Sequence, residues 1–157
     1  MLNITEQAPD FTLLNQFGES VTLSEFAGRK AVALVFIPLA FSGICTGELC
    51  ELRDNLTELT SADVELLVVS VDSKWALRIW GEREGYDFTL LADFWPHGAV
   101  AQKYGVYDEG RGVAQRATFL IDIHGVIRDA FMTEPGQPRA IARYRDAVAA
   151  LAAPGLS

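Results

Sequence analysis

The sequence predicts a single α/β domain with a mixed sheet between helices, and three features predict it. Two continuous apolar runs, Ala31 to Ile37 and Val64 to Val71, have the composition of strands buried on both faces, as in a parallel sheet covered by helices. Each is followed by a stretch of helical periodicity. The chain then closes with two extended runs around His124-Gly125 and a last helix.

The elements follow in order. Asp10 to Leu14 and Ser20 to Leu23 flank a turn at Asn15 to Gly18 and form an N-terminal hairpin. Ser24 to Gly28 is a short helical turn. After the strand at 31–37, a helix is expected from about 43 to 60, with Ile44, Leu49, Leu52, Leu56 and Leu59 approximating an apolar stripe. After the strand at 64–71, Asp72 and Ser73 can cap a helix over 74–84 that Gly85 ends. Phe88 to Leu91 is a short extended piece, and Gly98 to Tyr104 a short helix ending at Gly105. Arg116 to Asp122 and Val126 to Phe131 pair as a hairpin, and a final helix runs from about 138 to 153, stopping at Pro154-Gly155. Asp93 to His97 is expected to pack near the 38–45 loop or at a subunit contact, with core packing favoured for Trp95; Trp75 and Trp80 are expected to be half-buried, and His97 to be a hydrogen-bonded structural residue or helix cap. This order matches a thioredoxin-like α/β fold with an N-terminal β-hairpin extension, spanning 1–157 as one domain.

Bulk properties narrow the function. Thirteen basic and 21 acidic side chains leave a net charge of −8, which repels polyanions, so no nucleic-acid partner is expected. No apolar run approaches the ~20 residues that span a bilayer. The N-terminus lacks a charged and then apolar leader, so the expected location is cytoplasmic with no membrane partner. Two cysteines and two histidines make a poor zinc set, with Cys45 and Cys50 too widely spaced for the usual pair, and neither metal nor cofactor is expected.

The chemistry centres on Cys45. It follows the buried strand and the loop from Pro38, in the expected first turn of a helix, where unpaired N–H groups and the helix dipole favour negative charge. A thiolate is the nucleophilic form of cysteine. Cys50 lies five residues on, and two thiols this close at a strand-to-helix junction read as redox chemistry rather than a staple. Ser42 can offer a hydroxyl beside the sulfur, and Pro38 fixes the chain as it leaves the strand. Arg116, opening a later strand of the same sheet, is the candidate cation. Glu48, one turn beyond Cys45, can hold it. Cys50 also admits a plainer reading as a small apolar residue on the inner face of the helix.

These residues resemble the peroxiredoxin active site. Pro38, Ser42 and Cys45 fit the family's Pro-x-x-x-Thr/Ser-x-x-Cys loop, Arg116 its late arginine and Glu48 its helical glutamate. Pro38 to Cys45 and Asp93 to Gly98 are most similar to the actinobacterial alkyl hydroperoxide reductase E group, whereas Cys50 matches the second cysteine of bacterioferritin-comigratory-type members. Serine replaces the commoner threonine at 42. The resemblance implies a thiol peroxidase reducing hydrogen peroxide and organic hydroperoxides through a Cys45 sulfenic acid, with Cys50 as resolving cysteine in an intramolecular disulfide. It implies a thioredoxin-like, mycoredoxin-like or low-molecular-weight thiol as reductant, and a homodimer. Rival readings are a thioredoxin-like disulfide reductase, which lacks its Cys-x-x-Cys here, and a peroxide-sensing redox-relay protein.

Overall fold

The structure, a computed structural model, describes residues 1–151, the Leu59 side chain excepted; the expected helix end at Pro154-Gly155 lies outside these residues. The N-terminal hairpin forms as β1 (Thr12–Asn15) and β2 (Ser20–Thr22), followed by a 3-10 turn, Leu23–Phe26. Then come β3 (Ala31–Phe36), α1 (Gly43–Asp54), α2 (Leu56–Ser61), β4 (Val64–Ser70), α3 (Lys74–Glu84), β5 (Thr89–Ala92) and α4 (Ala99–Lys103). A small ribbon, β6 (Tyr107–Asp108) with β7 (Val113–Ala114), precedes β8 (Arg116–Ile121), β9 (Ile127–Thr133) and α5 (Ile141–Leu151).

Seven strands make one sheet in the order β2-β1-β5-β4-β3-β8-β9. β3, β4 and β5 are parallel; β1 joins β5, and β8 joins β3, antiparallel. The period-2 alternation of side chains sends Ala31, Ala33, Val35 and Ile37 to one face and Val32, Leu34 and Phe36 to the other. Both faces are covered, which is why β3 is apolar at every position. The first face packs under Leu49, Leu52, Leu77, Tyr144 and Ala147 of α1, α3 and α5. The second lies against Phe11, Val100, Ala101 and Tyr104.

Three expectations need correction. The helix expected over 43–60 is two helices: Asn55 leaves helical geometry (φ −113°, ψ 15°), and its amide donates to the Glu51 carbonyl, competing with the backbone ladder. The last helix starts at Ile141, not 138, because the residues before it turn toward α1. The tryptophans are displaced from their expected settings: Trp80 is 1% exposed, whereas Trp75 is 66% and Trp95 82% exposed. In the Trp95 loop the buried anchor is Asp93, whose carboxylate accepts the Val100 and Ala101 N–H groups and caps α4, leaving Trp95 outside.

Asp129 of β9 accepts from Nη1 (2.6 Å) and Nη2 (2.8 Å) of Arg143 on α5. This bond to Arg143 lowers the Asp129 pKa. A depressed folded-state pKa gives stability that is present above the unfolded value of about 4 and is lost as pH falls through the folded one. Asp129→Asn is therefore expected to lower Tm at neutral pH, with the gap to the parent closing in acid; thermal melts across pH check it.

Candidate active site

The site lies at the carboxyl ends of the parallel strands, where open α/β sheets place their ligands. β3 ends at Phe36, and the Ile37 N–H continues the ladder to the Val69 carbonyl at 3.0 Å. Pro38 is buried at the exit. The Asp72 carboxylate accepts the Ala40 N–H and the Ser70 hydroxyl, each at 2.8 Å, and so pins the loop to the end of β4. Asp72 thus anchors this loop, while α3 is capped by Ser73, whose hydroxyl accepts the Ala76 N–H. Phe41 turns through a left-handed conformation (φ 66°), costly for a bulky residue, and its exposed ring tilts against Trp80 with Arg83 over it.

Ser42 is the N-cap of α1. Its hydroxyl oxygen accepts the Cys45 N–H at 3.2 Å, leaving its proton free to be donated. Cys45 is a free thiol in the first turn, 0% exposed. One turn on, Glu48 is also buried and gathers two arginines. Arg116 Nη1 donates to its Oε1 at 2.6 Å. Arg139 donates Nε to Oε2 at 2.9 Å and Nη2 to Oε1 at 3.1 Å, and the Arg139 backbone N–H also bonds Oε2. The structure thus brings Glu48 and Arg116 into contact, and Arg139 is a third member of the cluster that the sequence reading does not single out. Its only sequence signal is a lone arginine after Pro138, just before a helix.

The two arginines differ in what they have left to give. Arg139 Nη1 donates to the Phe36 and Ala117 carbonyls and to Thr118 Oγ1, so every nitrogen of its guanidinium is engaged by protein. Arg116 is 4% exposed; Nε donates to the Pro135 carbonyl and Nη1 to Glu48, while Nη2 makes no hydrogen bond among the described residues and is not sealed from solvent. Burial opposes the charge on Arg139, but Tyr144, Glu48 and the Cys45 sulfur outweigh it and hold its pKa above the ordinary guanidinium value. Two guanidiniums against one carboxylate leave the cluster one positive charge in excess beside Cys45, a setting for an anion.

Cys50 is a second free thiol, half-buried on α1. Both cysteines lie in one continuous helix, where five residues correspond to about 7.5 Å of rise and roughly 140° of rotation. A disulfide requires Cα atoms about 4.4–6.8 Å apart, so α1 must open locally for the two to join. Cys50 Sγ lies 3.6 Å from Glu84 Oε2, to which it donates, and 3.6 Å from the Tyr86 hydroxyl. Burial, then Cys50, push the Tyr86 pKa well above its ordinary value, so its hydroxyl remains a donor. His97 bonds the Gly112 carbonyl at 2.7 Å and His124 sits in the β8–β9 turn. No helix among the described residues is long and apolar enough to cross a membrane.

Comparison with known proteins places the chain among relatives. Alkyl hydroperoxide reductase E of Mycobacterium tuberculosis is 50% identical over 153 residues, covering 98% of this chain and all of the relative. Peroxiredoxin Bcp of Escherichia coli is 38% identical over 130 residues, 79% of this chain and 81% of its own length. The crystal structure of peroxidoxin BcpB from Mycobacterium tuberculosis superposes with a TM-score of 0.85 at 28% identity, covering 97% of each chain. That of Enterococcus faecalis AhpC gives 0.87 at 27%, covering 96% of this chain and 92% of the other. The fold is thioredoxin-like, as expected from the element order. The AhpC/TSA family profile matches residues 4–130, and with relatives of this identity and coverage the chain belongs to the AhpC/TSA family of peroxiredoxins.

Proposed function

We propose that this protein is a thiol-dependent peroxidase in which Cys45 reduces hydrogen peroxide and organic hydroperoxides. The observation that carries the reading is the Glu48 carboxylate held between Arg116 and Arg139, one helical turn beyond a buried Cys45. The Cys45 thiolate attacks one peroxide oxygen; the S–O bond forms as the O–O bond breaks, and the released oxygen takes up a proton and leaves as water or alcohol. Cys45 becomes a sulfenic acid. Arg116 Nη2 and the Ser42 hydroxyl are the donors left free for the two oxygens, acting as preorganised electrostatics. Arg139 is a positioning residue: it fixes Glu48, which fixes Arg116. Pro38 shapes the loop.

Cys50 then attacks the Cys45 sulfenic acid, giving the 45–50 disulfide and water. A thioredoxin-like, mycoredoxin-like or low-molecular-weight thiol reduces it in the cytoplasm. A sulfur with no exposed surface suits a small peroxide better than a protein disulfide, which favours this reading over a disulfide reductase. The apolar face formed by Leu14, Trp75, Phe94 and Trp95 is where a second copy would pack as a homodimer.

Stopped-flow mixing of reduced protein with hydrogen peroxide and with an organic hydroperoxide, followed by tryptophan fluorescence, tests this. Trp80 is the reporter, since its Nε1 donates to Thr46 Oγ1 beside Cys45. A fast phase lost in Cys45→Ser and a second phase lost in Cys50→Ser are expected. A reaction no faster than that of a free thiolate sinks the peroxidase reading.

A further inference from the structure

Opening of α1 between the two cysteines must break whatever holds that segment; Glu48 ties it to Arg116 and Arg139, and its remaining tethers run to one place. Tyr86 Oη donates to the Thr46 carbonyl at 3.1 Å. In an α-helix that carbonyl is also the acceptor of the Cys50 N–H, so Tyr86 grips the backbone bond spanning the two cysteines. Trp80 Nε1 donates to Thr46 Oγ1 at 3.2 Å, and Cys50 itself donates to Glu84 at 3.6 Å. Arg53, one turn beyond, donates to the Glu84 carbonyl. The far partners sit at the carboxyl end of α3 and just past its Gly85 cap. Against these tethers stands Gly47, a weak helix former between the cysteines; a Cβ built there meets nothing within 4 Å, so packing does not require glycine.

We propose that Tyr86, with Glu84, is a positioning residue for the resolving step: it latches the 46–50 segment in its helical form and thereby sets how fast Cys50 reaches an oxidised Cys45. The inference rests on the reading of Cys45 and Cys50 as a redox pair. In that step the Cys50 sulfur bonds to the Cys45 sulfur, the Cys45 S–O bond breaks, and the departing hydroxide combines with the Cys50 proton as water. While the latch holds, the sulfenic acid persists and is exposed to a second peroxide that carries it to sulfinic acid. Tyr86 and Gly47 therefore pull in opposite directions on the partition between disulfide and over-oxidised enzyme.

The test uses the full chain with Tyr86→Phe and Gly47→Ala. Disulfide formation after one equivalent of peroxide is followed by acid quench, thiol alkylation and intact mass. Loss of one net hydrogen bond is expected to speed it about fivefold in Tyr86→Phe. Restoring a good helix former is expected to slow it about fivefold in Gly47→Ala. The first, Cys45-dependent phase stays within about twofold of the parent in both, and the sulfinic fraction under excess peroxide falls in the first variant and rises in the second. In a separate arm without peroxide, amide hydrogen exchange of the 46–51 peptide in the reduced protein rises in Tyr86→Phe while β3 and β4 stay protected. Unchanged or slower disulfide formation in Tyr86→Phe, or unchanged exchange, overturns the latch. A parent protein that makes no 45–50 disulfide instead sinks the redox-pair reading, and the exchange arm still decides the latch by itself.

Discussion

Glu48→Gln is expected to cost the reduced protein roughly 3–5 kcal/mol of stability, the penalty for leaving a buried charge uncompensated. The substitution keeps the shape and an acceptor oxygen but removes the one negative charge that Arg116 and Arg139 share. Arg139 has no exposed side-chain surface and Arg116 almost none, so neither guanidinium can turn to water without unpacking β8 or the chain before α5. For a domain of this size the loss corresponds to a fall of roughly 10 °C in Tm. Thermal melting of the fully reduced protein measures it, and a fall of only one or two degrees would mean that water already solvates the cluster.

Arg116→Gln is expected to do the reverse: little change in Tm and a large loss of rate. Glu48 keeps Arg139, so the remaining pair is balanced, and no buried charge is stranded. What disappears is Nη2, the guanidinium nitrogen not spent on the protein. Loss of one preorganised donor at a developing oxyanion costs about 100- to 1000-fold. The second-order rate constant of the first fluorescence phase, measured with hydrogen peroxide, is the readout. A loss of less than about tenfold would remove Arg116 from direct contact with the peroxide and assign it to structure alone.

The contrast between these residues shows what a sequence can carry. Ser42 and Cys45 are legible because a helix start is local: the cap, the free N–H groups and the sulfur lie within four residues of one another. Glu48 is legible for the same reason, one turn on. Arg116 is readable because it begins an apolar strand, where a charge needs a partner. Arg139 has no such local mark. Its partners, Glu48, Phe36, Ala117 and Thr118, come from three elements that meet only through the sheet order. The break at Asn55 escapes periodicity because Leu56 keeps the apolar pattern running across it. Trp75 and Trp95 mislead because composition registers an apolar ring without saying which way the backbone turns it. Asp93, an acid amid aromatics, proves the buried member of its loop.

The Glu48 carboxylate collects the chain from three distant places: α1, the start of β8, and the residues leading into α5. The last of these, Arg139, leaves the ribosome long after Cys45 does. A growing chain therefore carries Cys45 for most of its synthesis without the complete cationic frame around it. The pairing of Glu48 with Arg139 waits on the docking of the carboxyl-terminal quarter, and any release of that quarter undoes it.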